Sequence, residues 1–316
     1  MERVLITGAT GQIGSELTMV LREKLGNDNV VAAGHVKKPE PALLGSGPFH
    51  FIDCSEIQTI SEIVRKYKID TIYHLAAILS ANAEKNPQLA WQVNLNGLYH
   101  VLEVAREHHC AVFTPSSIAS FGPQTPRDRT PQDTVQRPTT IYGITKVAGE
   151  LLCNYYFTKY GVDTRGVRYP GLISFKTPPG GGTTDYAVAM YFEAVRHRKY
   201  TCYLKSGTFL DMMYMPDAVR AAVEIMEADP ARLTIRNAYN LTAMTVAPKT
   251  IAVAIKKHIP QFKLDYRIDP LRQAIADSWP NSMDDRVARV EWGWAPQYDL
   301  ESMTVDMLRN IRPSGT

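Results

Sequence analysis

Three features of this 316-residue sequence predict an α/β fold, a doubly wound and mostly parallel sheet with a smaller C-terminal lobe. Strand-like and helix-like stretches alternate from residue 3 to about residue 168, and a glycine-rich turn joins the first strand to the first helix. After Tyr169 the alternation breaks down.

Arg3-Val4-Leu5-Ile6-Thr7 is a short apolar strand, and within residues 13–25 Ile13, Leu17, Val20 and Leu21 follow at helical spacing. Val30-Val31-Ala32-Ala33 and Phe49-His50-Phe51-Ile52 are further strands, separated by a loop over residues 37–48. A helix over residues 56–67 leads to the strand Thr71-Ile72-Tyr73-His74-Leu75, and a long helix over residues 88–108 leads to Ala111-Val112-Phe113-Thr114. A loop over residues 122–138, with Pro123, Pro126, Pro131 and Pro138, precedes a helix that carries Tyr142 and Lys146 and runs to about Tyr160. Residues 164–168 form the last strand of the series. Parallel strands need crossovers, so this order puts helices on both faces of one sheet. Beyond it, Thr177-Pro178-Pro179-Gly180-Gly181-Gly182-Thr183-Thr184 introduces shorter elements, while residues 209–226 and 237–241 are expected to return to the large domain.

The composition, 45% hydrophobic and 21% charged with a formal net charge of +3, is that of a soluble globular chain and argues against nucleic acid or a membrane surface as partner. Cys54, Cys110, Cys153 and Cys202 stand singly, without metal-ligand spacing, so no metal is expected and the thiols are predicted to be reduced and buried. That suits a reducing compartment. The first strand begins just after Met1, which leaves no room for a presequence. The expected location is the cytoplasm, or the mitochondrial matrix if a presequence is missing from this chain.

The glycine-rich turn, Gly8-Ala9-Thr10-Gly11-Gln12-Ile13-Gly14, has the strand-then-helix context of a dinucleotide site. Glycines allow a tight turn and a close approach of backbone to a pyrophosphate, whose charge then meets the helix N-terminus. The spacing G-x-x-G-x-x-G is one residue wider at the front than the usual fingerprint. Residues 1–172, with 209–242 returning to them, are therefore expected to form a Rossmann-like dinucleotide-binding domain, and residues 173–316 an interleaved substrate lobe. At the strand ends, Asp53 is placed either to accept from an adenine amine or to cap the helix starting near Ser55. Leu75, Ala76 and Ala77 let a cofactor pass close, although packing alone also explains such small side chains.

Tyr142 and Lys146 are four residues apart on one helix and so share a face. A phenol ordinarily titrates near ~10, so its use as a general base calls for a nearby cation. Upstream lie Ser116 and Ser117; strand-end hydrogen bonding is the more expected role for Ser116. Gly8, Gly11, Gly14, His74-Leu75-Ala76-Ala77, Ser116-Ser117, Tyr142 and Lys146 together resemble the extended short-chain dehydrogenase/reductase family over nearly the whole chain. Five segments carry a closer likeness to the branch that oxidises L-threonine at its 3-hydroxyl: residues 121–128, 137–143, 168–174, 179–187 and Ser278-Trp279-Pro280.

What the resemblance implies is an NAD-dependent homodimer making 2-amino-3-ketobutyrate, which decarboxylates spontaneously or passes to a CoA-dependent ligase. It assigns Tyr142 as base, Lys146 to the phenolate and the nicotinamide ribose, Ser117 to the reacting oxygen and Leu172 to the nicotinamide. A zwitterionic substrate also needs donors for its carboxylate and an acceptor for its ammonium. Residues 180–184 are expected to form an anion-binding nest, with Thr183 and Thr184 adding hydroxyls, Asp185 a countercharge, Trp279 a cover and Ser80 a further contact. The alternative is a loop whose Asp185 caps the next helix. Two rival functions are a nucleotide-sugar epimerase or reductase and a non-catalytic dinucleotide sensor. The first wants several cations after the sixth strand, where residues 172–189 hold only Lys176; the second has no need of Tyr142 and Lys146.

The cofactor is where residues and resemblance diverge. A dinucleotide enzyme ordinarily carries an acid after the second strand for the ribose 2′-hydroxyl, but here Ala33 runs into Gly34-His35-Val36-Lys37-Lys38. Local charge favours NADP; the resemblance implies NAD, which is the expected cofactor, with weaker discrimination than in an acid-bearing relative.

Overall fold

The computed structural model describes residues 1–176 and 180–311, so Thr177, Pro178 and Pro179 of the proline and glycine-rich segment lie outside the described residues. From the N-terminus, β1 (Val4–Thr7), α1 (Gln12–Leu25), β2 (Val30–Gly34), α2 (Pro41–Gly45), β3 (Phe49–Phe51), α3 (Ile57–Tyr67) and β4 (Thr71–His74) follow one another. Next come α4 (Ser80–Lys85), α5 (Pro87–Trp91), a π-helical turn (Gln92–Asn96), α6 (Gly97–His108), β5 (Ala111–Phe113), β6 (Ser116–Ser117), α7 (Ile141–Tyr160), β7 (Thr164–Arg165) and β8 (Val167–Tyr169). The later elements are β9 (Gly171–Ile173), α8 (Tyr186–His197), β10 (Lys199–Cys202), β11 (Leu210–Tyr214), α9 (Met215–Glu227), β12 (Tyr239–Asn240) and β13 (Met244–Val246). They close with α10 (Pro248–His258), β14 (Lys263–Tyr266), α11 (Pro270–Asp277), α12 (Arg286–Trp292) and α13 (Leu300–Asn310).

The central sheet has the order β3-β2-β1-β4-β5-β7 with every pair parallel, and Val4 of β1 lies opposite both Val30 of β2 and Thr71 of β4. This is the doubly wound, Rossmann-like α/β class that the alternation predicts. Side chains along a strand alternate between faces, and β1 feeds both cores accordingly. Val4 and Ile6 pack with Leu17 and Leu21 of α1 and with Ala218 and Ala222 of α9, whereas Leu5 packs with Ile60 of α3, Leu98 of α6 and Cys153 of α7. The strand order reverses between β1 and β4, which opens a crevice beyond their C-terminal ends. All four cysteines are free and buried. Among the described residues no helix is long and apolar enough to cross a membrane.

Three expectations are revised. The long helix over residues 88–108 contains a π turn at its centre, and α4 precedes it where no helix was expected. The strand over residues 164–168 is two strands: at Gly166 the N–H donates to Arg236 and the carbonyl accepts from Tyr239, so β8 leaves the central sheet and pairs with β6 and β12. The loop over residues 37–48 includes α2 and is tied down by buried Arg22, whose guanidinium donates to the carbonyls of Leu43 and Pro48 and to Ser46 Oγ, each at 2.6 Å.

Candidate active site

The glycine turn sits at the mouth of the crevice. Gly8 has φ of +70°, and a Cβ there would lie 2.7 Å from the Ala76 nitrogen; one on Gly14 would lie 2.3 Å from the Gly8 carbonyl oxygen. Only glycine fits either position, and backbone thereby forms the floor of the site. Gly11 is the N-cap of α1 and supplies no side-chain cap, so the helix presents its first N–H groups to the crevice. Gln12 Nε2 is buried without a partner. An orphan amide beside uncapped N–H groups suits a pyrophosphate, and the loop fits a dinucleotide on these observations.

Two adjoining cavities make up the crevice. The inner one, about 220 Å³, is lined by Gly8, Gly11, Gln12, Ile13, Gly14, Leu75, Ala77, Ser80, Ser117, Tyr142, Lys146, Leu172, Thr183, Thr184, Asp185 and Trp279, among others. The outer one, about 270 Å³, shares Gly8, Gly11, Leu75 and Ala77 and adds Thr10, Asp53 and Ala76. The catalytic, cofactor and substrate candidates thus reach one crevice, although not every one does there what its type suggests, while His74, Lys38, Gly180 and Gly181 line neither cavity.

Thr140 caps α7 by accepting from the Gly143 N–H at 3.1 Å, which sets the helix so that Tyr142 and Lys146 face the crevice. Ser117 lines the inner cavity beside the Tyr142 phenol, and its hydroxyl accepts from the Ala119 N–H at 3.2 Å. Lys146 Nζ lies 5.5 Å from the centre of the Tyr142 ring and donates to the Pro115 carbonyl at 2.7 Å. Burial pushes the phenol up to about 12, against the pull of Ser117, and pushes Lys146 down to about 8. The expected lowering of the phenol by Lys146 is therefore outweighed here: desolvation is the larger effect, and the ammonium is turned to a carbonyl. An ammonium at Lys146 still attracts a phenolate once one forms on the neighbouring ring. Activity that needs the phenolate rises with pH, and Lys146→Met, which removes that attraction, is expected to shift the rise upward. A turnover profile with the same midpoint in both proteins contradicts the coupling.

Ser116 Oγ donates to Glu150 Oε1, as its expected structural role requires. The glycine loop departs from expectation. Asp185 Oδ2 accepts from the N–H groups of Gly181 (2.7 Å) and Gly182 (2.8 Å), and the Thr183 N–H donates to Ser80 Oγ at 3.4 Å. A carboxylate of the chain itself fills the nest, so it is no open anion site. Asp185 lies next to the inner cavity but commits an oxygen to its own loop, while burial raises its carboxyl above the ordinary range. Of the two roles open for Asp53, the helix cap is not made, because α3 begins at Ile57 and no side chain caps it; Oδ1 instead accepts from the Ser55 N–H at 2.9 Å in the turn before the helix, and the residue lines the outer cavity.

Sequence reading missed two supports. Asn94, in the π turn, donates from Nδ2 to the Ile78 carbonyl and accepts from the Ile78 N–H, holding the segment that leads to Ser80. Glu150, one turn beyond Lys146, accepts from Arg168 Nε (3.0 Å) and Nη2 (2.8 Å), from Gln136 and from Ser116. A carboxylate four residues after Lys146, on the same helix face, was the available signal. Among the described residues no cluster of three or more His, Cys, Asp or Glu is arranged to hold a metal ion.

The family described as the NAD dependent epimerase/dehydratase family matches residues 4–241. The chain belongs to that family. An uncharacterized epimerase/dehydratase of Staphylococcus haemolyticus (strain JCSC1435) is 55% identical over 98% of this chain and 98% of its own. An L-threonine dehydrogenase from Clostridium difficile superposes with a TM-score of 0.96 at 55% identity, covering 98% of each chain. The holo form of a GalE-like L-threonine dehydrogenase from Cupriavidus necator gives 0.95 at 49% identity, over 98% of this chain and 100% of that one. As a member of the NAD dependent epimerase/dehydratase family this protein is an NAD-dependent oxidoreductase, and the dinucleotide-fitting loop is in keeping with that cofactor.

Proposed function

We propose that this protein is an L-threonine 3-dehydrogenase, which oxidises the secondary hydroxyl of L-threonine with NAD and yields 2-amino-3-ketobutyrate. The observation that carries the reading is the wall beyond Tyr142. Ser80, Thr183, Thr184 and Asp185 supply hydroxyls and one carboxylate beside Trp279, and among the described lining residues Lys146 is the sole cation. Hydroxyls donate to an amino acid's carboxylate, and Asp185 adds negative charge toward its ammonium. A nucleotide sugar brings a diphosphate, which calls for several cations, whereas Lys176 lies 3.4 Å from Glu16. The substrate in the names of the Clostridium and Cupriavidus proteins favours the same reading.

Bound NAD supplies the hydride acceptor. Tyr142, as phenolate, takes the hydroxyl proton; Ser117 Oγ holds the reacting oxygen; Lys146 stabilises the phenolate by its charge. Residues 1–172 with 209–242 hold the dinucleotide in this reading, and the remaining C-terminal lobe contributes Thr183, Thr184, Asp185 and Trp279. Reduced-nicotinamide absorbance is expected to rise with L-threonine, and to stay flat with UDP-sugars. Turnover of a UDP-sugar with none of L-threonine means that the reading is lost; allo-threonine reports the stereochemistry at C3.

The assembly in this reading is a homodimer formed through α5, α6 and α7, on which Leu89, Trp91, Tyr99, Ile144, Leu151 and Tyr155 are exposed. Sedimentation velocity at micromolar concentration is expected to give twice the chain mass, and a monomer there rules this surface out as a stable interface.

A further inference from the structure

The outer cavity ends at the C-terminus of β2, where the ribose of a bound adenosine lies in folds of this class. A side chain on Gly34 would be crowded, its Cβ lying 3.0 Å from Thr10 Cγ2 and 3.1 Å from Phe49 Cζ, so that those side chains would have to shift. Recognition of the ribose therefore falls to the next position. That residue is His35, which is exposed, lines the cavity and stands 3.6 Å from Asp53 Oδ2. Asp53 is the sole carboxylate in this part of the lining, and its oxygens face the Ser55 N–H and His35. Lys37 lines the same cavity, and among the described residues neither Lys37 nor Lys38 makes an ion pair with an acid. A hydroxyl-binding carboxylate is thus replaced by donors and positive charge at one rim.

We propose that this end of the crevice accepts 2′-phosphorylated dinucleotides of the NADP class as well as NAD, with His35 and Lys37 taking the 2′-phosphate. The inference rests on the crevice being a dinucleotide site and is independent of the threonine reading. Hydrogen bonds to a charged group, and the attraction of a near-dianionic phosphate, supply the selectivity. NAD remains a ligand, because its ribose hydroxyl meets no opposing group there.

Calorimetric titration of the whole protein with ADP and with adenosine 2′,5′-bisphosphate tests this without turnover. The bisphosphate is expected to bind as tightly as ADP or up to about tenfold more tightly, with the margin shrinking as salt is raised. His35→Asp is expected to weaken the bisphosphate by about ten- to a hundredfold and ADP by less than about threefold. Lys37→Met is expected to weaken the bisphosphate alone. ADP binding shows that each variant is folded. A wild-type protein that rejects the bisphosphate by more than about tenfold relative to ADP overturns the proposal, and so does an unchanged ratio in both variants. Loss of binding for both ligands in the wild type overturns the dinucleotide reading as well.

Discussion

Tyr142→Phe is expected to lower kcat by about a hundred- to ten-thousandfold while leaving cofactor affinity almost unchanged. The phenol is the group that can take a proton at this point of the inner cavity, with Ser117 lining the cavity beside it and Lys146 over the ring. Phenylalanine keeps the ring, and the packing of Tyr142 against the core under α8 requires little more. Cofactor titration by protein fluorescence separates the two effects, since the glycine turn and the outer cavity do not involve the phenolic oxygen. A variant that retains more than about a tenth of wild-type kcat places the base elsewhere. Retained activity with a lost pH dependence points instead to a hydroxide-like path through bulk water.

Glu150→Ala is expected to destabilise the fold by about 3–5 kcal/mol, the cost of leaving one buried charge without its partner. Both side chains of the Glu150–Arg168 pair are 7% exposed. Arg168 also donates to the Gln132 carbonyl and to Asn240 Oδ1, each at 3.0 Å, so the stranded guanidinium would sit amid acceptors but face no countercharge. Urea unfolding of Glu150→Ala, of Arg168→Leu and of Glu150→Met with Arg168→Leu forms the comparison. Replacing both partners is expected to recover part of the loss. A single variant with an unchanged midpoint would mean that the pair contributes nothing to stability. Because Ser116 donates to the same carboxylate and Glu150 favours the charged form of Lys146, a fall in kcat that accompanies the double replacement would trace to the strand carrying Ser117 or to Lys146.

The sheet and its order were legible because each layer repeats a period. Val4, Leu5 and Ile6 alternate between two cores, and Leu17 and Leu21 keep one side of α1 apolar. The site was legible where chemistry demands residue types at fixed spacing, as for Gly8 and Gly14 around the turn and Tyr142 and Lys146 on one face. What was hidden depends on partners distant in sequence. The break at Gly166 is set by Arg236 and Tyr239, and the π turn holds Asn94 toward Ile78; neither leaves a periodic mark. Asp185 stayed open for a related reason. An acid after a glycine loop reads equally as a ligand for substrate or as a ligand for the loop, and only the positions of the Gly181 and Gly182 N–H groups reveal that one of its oxygens serves the loop. The shifts at Tyr142 and Lys146 were invisible as well, since desolvation depends on packing from α8 and β6 that no local motif records.

The packing of α9 against α1 also bears on how the protein is made. The apolar face of α1 leaves the ribosome early, but the helix that covers it follows roughly 200 residues later, a delay of about 10–40 s at ordinary rates of synthesis. During that interval Leu17 and Leu21 have no permanent cover from Ala218 and Ala222. Slowing elongation between the codons of these two helices is expected to lengthen that exposure and lower the soluble yield, and a holdase chaperone added in excess is expected to restore it.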